Sequence, residues 1–108
     1  MQEEADMNTE YEIQKITWDG IEIEVRWASN WMDFDDGTSV GHLEIQSVSP
    51  QKHPLPMTET GYRSHFIHAD EINQFGGALN YIESWLAAES KSNKWLERKA
   101  VFSQLALL

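Results

Sequence analysis

Residues 14–25, QKITWDGIEIEV, read as two strands folded back on each other about Asp19-Gly20. A two-residue type I′ turn needs positive φ at both central positions, and Asp-Gly meets that need at little steric cost. Closing the chain there sets Trp18 opposite Ile21, Ile16 opposite Ile23 and Gln14 opposite Val25. The other face then pairs Thr17 with Glu22 and Lys15 with Glu24. One face is mostly apolar and the other carries a matched opposite-charge pair, as expected of an antiparallel ribbon with one face on a core.

Downstream of this hairpin, residues 28–39, ASNWMDFDDGTS, read as a loop, because Asn, Asp and Gly favour turns while Trp31 and Phe34 can anchor it. A third strand is predicted over about residues 40–47, with Leu43 and Ile45 inward and His42, Glu44 and Gln46 outward. Pro50, Pro54 and Pro56 remove backbone donors and predict an irregular stretch over 48–60, before a fourth, aromatic-rich strand at about 61–68. From Asp70 the period becomes helical. Asp70 is the expected cap of a short turn or helix, and Gly76-Gly77 interrupts or restarts it. Ala78, Ile82, Trp85 and Leu86 then form an apolar stripe suited to lying on a sheet. After a break at Ser90–Asn93, with Ser92 or Asn93 as cap, the spacing of Trp95, Lys99, Phe102, Leu105 and Ala106 suggests a last helix. Its basic residues Lys94, Arg98 and Lys99 sit toward the N-terminal end, against the helix dipole, so a closing strand at VFSQLALL is the alternative. The fold class is α+β: an antiparallel sheet of about four strands with one or two C-terminal helices on one face. Residues 1–9 read as a flexible acidic tail and 10–108 as a single domain.

Composition bounds the function. At 108 residues the chain has room for one core, and 41% apolar residues, five of them Trp, argue against global disorder. It has no cysteine, which removes disulfides, thiolate nucleophiles and cysteine-bound zinc. No apolar run approaches the roughly 20 residues of a membrane-spanning helix, and the N-terminus MQEEADMNTE is unlike a signal peptide, so a cytoplasmic location is expected. Residues 1–50 hold 12 acids and 2 bases, Lys15 and Arg26, whereas residues 51–108 hold 6 of each. The net charge of −10 therefore arises entirely in the first half. Such a field repels nucleic acid and attracts basic surfaces; solubility alone is the other account of it.

No cofactor is expected, because each chemical constellation has a defect. Counting Asp33 as position one of a calcium loop, Asp35 and Glu44 fall at three and twelve, yet Gly37 stands where an oxygen ligand belongs and Thr38 where the turn glycine belongs. His65 and His68 are three apart, which on a strand points them to opposite faces. Ser64 and His65 diverge for the same reason, and no Gly-x-Ser-x-Gly elbow or Gly-rich phosphate loop exists, so no enzyme is expected. The polar run around Gly61 is less easily set aside. Thr58, Thr60, Tyr62, Arg63 and His65 read either as a recognition loop for phosphate, carboxylate or peptide backbone, or as an internal network in which Arg63 pairs with an acid and the threonines satisfy the loop.

The run PLPMTETGYRSHF, at 54–66, with GGALNYIESWL behind it, resembles small proteins encoded on bacterial plasmids and phages, over roughly residues 11–108. The resemblance assigns no functional residue. It implies a setting in which small acidic proteins block host defences, as anti-CRISPR and antirestriction proteins do by occupying nucleic-acid-binding surfaces. The expected function is a non-enzymatic interaction protein, an inhibitor whose acidic patch meets a basic protein surface. The patch comprises Glu22, Glu24, Asp33, Asp35, Asp36 and Glu44, with Trp31 and Phe34 as apolar anchors. The alternative is a small-ligand or metal-binding domain, with or without catalysis, centred on the TETGYRSHFIH segment. A homo-oligomer using a strand edge or helical face is a third reading.

Overall fold

The computed structural model of the chain describes residues 10–106; the expected tail at 1–9 and the last two residues lie outside the described residues. Four strands, β1 (Glu12–Trp18), β2 (Ile21–Asp33), β3 (Ser39–Ser49) and β4 (Tyr62–His68), form one antiparallel sheet in the order β1-β2-β3-β4. Three helices follow: α1 (Ala69–Gln74), α2 (Ala78–Glu89) and α3 (Asn93–Ala106). The β1–β2 hairpin has the register that its turn dictates, Trp18 opposite Ile21 through Gln14 opposite Val25. Asp19 and Gly20 have φ of 51° and 79°.

One face of the sheet carries Ile21, Ile23, Val25, Trp27, Leu43, Ile45 and Ile67. These pack with Ile72 of α1 and with Ala78, Ile82 and Leu86 of α2. Ile72, Ile82 and Leu86 are almost fully buried, and burying each such side chain contributes about 1.5–3 kcal/mol. The i, i+4, i+8 spacing of Ala78, Ile82 and Leu86 places all three on the sheet side of α2. Trp95 is buried on α3 and meets Trp18 at 6.0 Å between ring centroids, while Lys99 pairs with Asp19 at 3.0 Å, so α3 covers the turn end of β1–β2. The apolar stripe of α3 extends to half-buried Phe102 and ends there, because Leu105 is exposed.

Two expectations are corrected and one open alternative is decided. Residues 28–33 are strand, and the connecting loop shrinks to about Phe34–Thr38. The turn propensities of Ser29 and Asn30 are absorbed by an irregularity in the β2–β3 ladder between Ala28 and Met32, where the strand gains residues without ending. Asp70 is not a cap: α1 starts directly from β4 with His68 at the cap position, and Asp70 sits in the first turn, where a carboxylate favours the dipole. Residues 101–106 continue the expected last helix, and the alternative of a closing strand falls. Here the apolar contacts of Trp95 and Phe102 and the Ser92 cap, whose Oγ accepts from the Trp95 N–H at 3.1 Å, prevail over the unfavourable charges.

The proline-rich stretch 50–60 is held down by Leu55, fully buried, and Met57. A pair of backbone hydrogen bonds joins Leu55 and Thr58 across a tight turn. Gly61 has φ of 77°, and the backbone of Lys52 and His53 passes so close that a Cβ there would meet it under 3.0 Å.

Candidate functional site

The helices cover one face of the sheet. The other face presents the rows Lys15–Glu24–Gln46–Tyr62, Ile13–Arg26–Glu44–Ser64 and Ala28–His42–Phe66 across its strands. At the last row the irregularity in β2 brings Trp31 back over the sheet. Its ring lies 5.1 Å from His42 and 5.9 Å from Phe66, and Phe66 stacks on His42 at 4.5 Å. Tyr11, just before β1, closes the group at 6.5 Å from Trp31. His42 is 8% exposed beneath this cover, whereas Trp31 and Phe66 are 39% and 54% exposed.

His42 is fixed from both sides. Tyr11 Oη is 2.6 Å from Nδ1, and Ser64 Oγ is 2.6 Å from Nε2. In a neutral imidazole one nitrogen donates and the other accepts, so the two hydroxyls take complementary roles. A serine, a histidine and a third group in sequence have the spacing of a nucleophile, base and orienter. Here the ring lies under Trp31 and Phe66, and the three groups brace the aromatic cluster from below.

Beside the cluster runs a polar chain. Arg26 Nε is 3.2 Å from Glu44 Oε1, an ion-pair distance at which the N–H is not aimed for a hydrogen bond, and the guanidinium lies 4.8 Å from the centre of the Tyr11 ring. Tyr62 donates its hydroxyl to the other oxygen of Glu44. That hydrogen bond, with burial and the Glu44 charge, raises the Tyr62 phenol above its ordinary pKa.

The expected acidic residues do not form one compact patch. Glu22 and Glu24 lie on the open face near the Asp19-Gly20 end, and Glu44 is mid-sheet, tied to Arg26. Asp33, Asp35 and Asp36 stand at the far tip of the β2–β3 hairpin. Eleven residues of strand separate Glu22 from Asp33, about 35 Å at the usual rise. The tip aspartates also shape their own loop. Asp33 accepts from Ser39 Oγ, and Asp36 accepts from the N–H and hydroxyl of Thr38 at 3.0 and 2.6 Å, which lowers the Asp36 pKa. Among the described residues no Lys or Arg forms an ion pair with Glu22, Glu24, Asp33, Asp35 or Asp36. Trp31 thus stands at the tip end of the open face, while Asp33, paired with Ser39, alternates to the helix side and Asp35, Asp36 and exposed Phe34 lie in the loop beyond.

The residues of the alternative site are divided. Thr58 and Thr60 both donate to the Tyr62 carbonyl, at 2.7 and 3.2 Å, so they serve the loop. Tyr62 belongs to the open face, but Arg63 and His65 alternate to the helix side. There Arg63 donates to the Met57 carbonyl at 3.0 Å and both side chains meet Trp85. Burial, then the charge of Arg63, holds the His65 pKa below its ordinary value. Glu59 pairs with Lys94 and Arg98, not with Arg63. Among the described residues no cluster of His and carboxylates is arranged to hold a metal ion.

Sequence reasoning missed Tyr11, Ser64 and Phe66 as members of this surface and Arg26 as its cation. Strand alternation placed His42 outward, but its alignment with Ala28 and Phe66 is set by the β2–β3 and β3–β4 registers, and the irregularity after Ala28 that returns Trp31 to this face breaks the alternation.

Residues 11–95, most of the chain, match the KlcB third domain. The chain belongs to the KlcB third-domain family. No curated protein and no solved structure matches it. The portion matched to the KlcB third domain contains the whole sheet, α1, α2 and the first turn of α3 as far as Trp95, and so includes every residue of the open-face cluster. No helix among the described residues is long and apolar enough to cross a membrane.

Proposed function

We propose that this domain is a non-enzymatic interaction module that docks a protein with a basic surface on its open sheet face. The observation that carries the reading is the aromatic cluster of Trp31 and Phe66, exposed on the helix-free face and seated on buried, doubly hydrogen-bonded His42. Large rings on a rigid base give contact area at small entropic cost, which is how interface hot spots gain their energy. The tip carboxylates Asp33, Asp35 and Asp36, at the same end of the β2–β3 hairpin as Trp31, form no ion pair with Lys or Arg among the described residues and supply a field that speeds encounter with a cationic partner. Glu22 and Glu24, at the far end, extend that field but lie outside the apolar centre.

An exposed sheet bearing stacked rings is also a shape on which single-stranded nucleic acid stacks. The electrostatics favour a protein instead: the face offers Lys15 and Arg26, the latter tied to Glu44, against Glu22, Glu24 and Glu44, with three more carboxylates at the hairpin tip. A partner whose Lys and Arg otherwise grip phosphates fits the face best, and occupying that surface would exclude nucleic acid. Inhibition of a nucleic-acid-handling defence complex, an anti-CRISPR activity among them, is the role this partner class implies.

The test is capture from bacterial lysate by wild type, Trp31→Ala/Phe66→Ala and Asp33→Lys/Asp35→Lys/Asp36→Lys proteins, followed by titration of the captured partner. Both variants are expected to lose the partner, and wild-type affinity is expected to fall steeply between low and physiological salt. Retention of the same partner by both variants, each shown to be folded, sinks the reading.

A further inference from the structure

The second half of the chain builds a cleft that the open-face reading does not use. It has a volume of about 410 Å³ and lies between the 50–60 stretch, β4 and the ends of α2 and α3. Three of the eight Lys and Arg of this acidic chain line it: Arg63, Lys94 and Arg98. Among the described residues two carboxylates, Glu59 and Glu89, line it with them.

Three features give the cleft the character of an oxyanion site. Arg63 is fixed in place: one N–H donates to the Met57 carbonyl and its guanidinium lies 5.3 Å from the centre of the Trp85 ring. Its other N–H groups make no hydrogen bond among the described residues, which leaves part of a rigid donor fork unused. Secondly, Lys94 and Arg98 occupy the N-terminal half of α3, where cations oppose the helix dipole and no acid in the first turn offsets them. Such a local conflict is retained where something else needs the charges in place. Thirdly, one carboxylate already occupies the position between them. Glu59 Oε2 lies 2.8 Å from Arg98 and 3.5 Å from Lys94; the Glu59 and Lys94 side chains are 65% and 77% exposed, while Arg98 is partly buried at 20%.

We infer that this cleft binds a phosphate or carboxylate group of a small molecule, with Glu59 as the internal carboxylate that the ligand displaces. Arg98 and Lys94 on α3 hold the incoming oxyanion, and Arg63 on β4 provides the second anchor. The site stands apart from the open face, since its residues lie on the helix side of the sheet.

The experiment is calorimetric titration of the full chain at low ionic strength with inorganic pyrophosphate in one arm and citrate in the other, which separates phosphate from carboxylate preference. Saturable binding is expected in at least one arm. Removing a charge-assisted hydrogen bond costs about 1.5–3 kcal/mol, so Arg98→Gln and Arg63→Gln should each weaken binding about tenfold or more. Glu59→Gln removes the competitor and should tighten binding several-fold, an effect that a purely structural role for Glu59 does not produce. Trp31→Ala/Phe66→Ala should bind both probes as wild type does, so failure of the open-face reading is seen separately. The inference is overturned if neither probe saturates wild type or Glu59→Gln at millimolar concentration, or if Glu59→Gln binds no tighter than wild type.

Discussion

Gly41→Ala should be among the most damaging single-methyl additions available in this fold. Gly41 lies on β3 between two strands, and on the core side the six-membered ring of Trp27 rests directly over it. A Cβ there would overlap Cη2 and Cζ3 of that ring and sit 2.7 Å from the Ala28 carbonyl oxygen. The ring can retreat only by leaving a site where Trp27 is 7% exposed, and the carbonyl belongs to a strand laddered to β3. Overpacking of a core costs about 1–3 kcal/mol, and a clash with backbone places this variant near the top, at about 3 kcal/mol. Against the roughly 5–15 kcal/mol that holds a domain of this size together, that loss is large without being complete. Urea and thermal unfolding followed by Trp fluorescence should show a native baseline, an unchanged slope and a melting temperature lower by about 12–24 °C. Trp27→Leu should relieve the ring overlap but not the carbonyl overlap, so Gly41→Ala/Trp27→Leu should be less unstable than the two single changes added together. A Gly41→Ala protein within 0.5 kcal/mol of wild type, using about that margin as the size of ordinary surface effects, would refute the packing described for β2 and β3.

Three further outcomes can be measured on the isolated chain. Ser92→Ala removes the Oγ that accepts from the Trp95 N–H and should destabilise the fold by about 1 kcal/mol, with Ser92→Asp restoring most of it. Leu86→Ala, at a side chain with 0% exposure, should cost about 2–5 kcal/mol in urea unfolding, and the lower end would indicate that α2 settles onto the sheet. His65 has its pKa depressed below the ordinary 6.5 by burial against the helix side. As pH falls below 6.5 the unfolded chain therefore takes up a proton before the folded one does, and stability declines until pH passes the folded pKa. His65→Phe should flatten this part of the stability–pH profile between about pH 6.5 and the lower folded value, and an unchanged profile would remove His65 as its source.

What the sequence alone determined is what depends on neighbours in the chain. The Asp19-Gly20 turn set the β1–β2 register residue by residue, because two adjacent positive φ angles permit one hairpin geometry. The 3.6-residue period of Ala78, Ile82 and Leu86 placed α2 on the sheet, and the cap of α3 was legible as Ser92 or Asn93, between which the hydrogen bond to the Trp95 N–H decides for Ser92. The loop expected at 28–39 failed because its signals were local propensities. A ladder with β3, an irregularity that takes up the extra residues and the burial of Ala28 outweighed them. The candidate surface was legible in part: Trp31 and the tip aspartates stood out by composition. That Trp31 would return over His42 and Phe66, and that Glu22 and the tip would lie at opposite ends, required the strands to be assembled. The same holds for Arg63, Lys94 and Arg98, which are 31 and 35 residues from Arg63 in the chain and meet across one cleft. Spacing along a chain reports which side of its own element a side chain takes. Only packing of element on element brings residues from different ones together, because that packing is driven by nonlocal burial that no single segment contains.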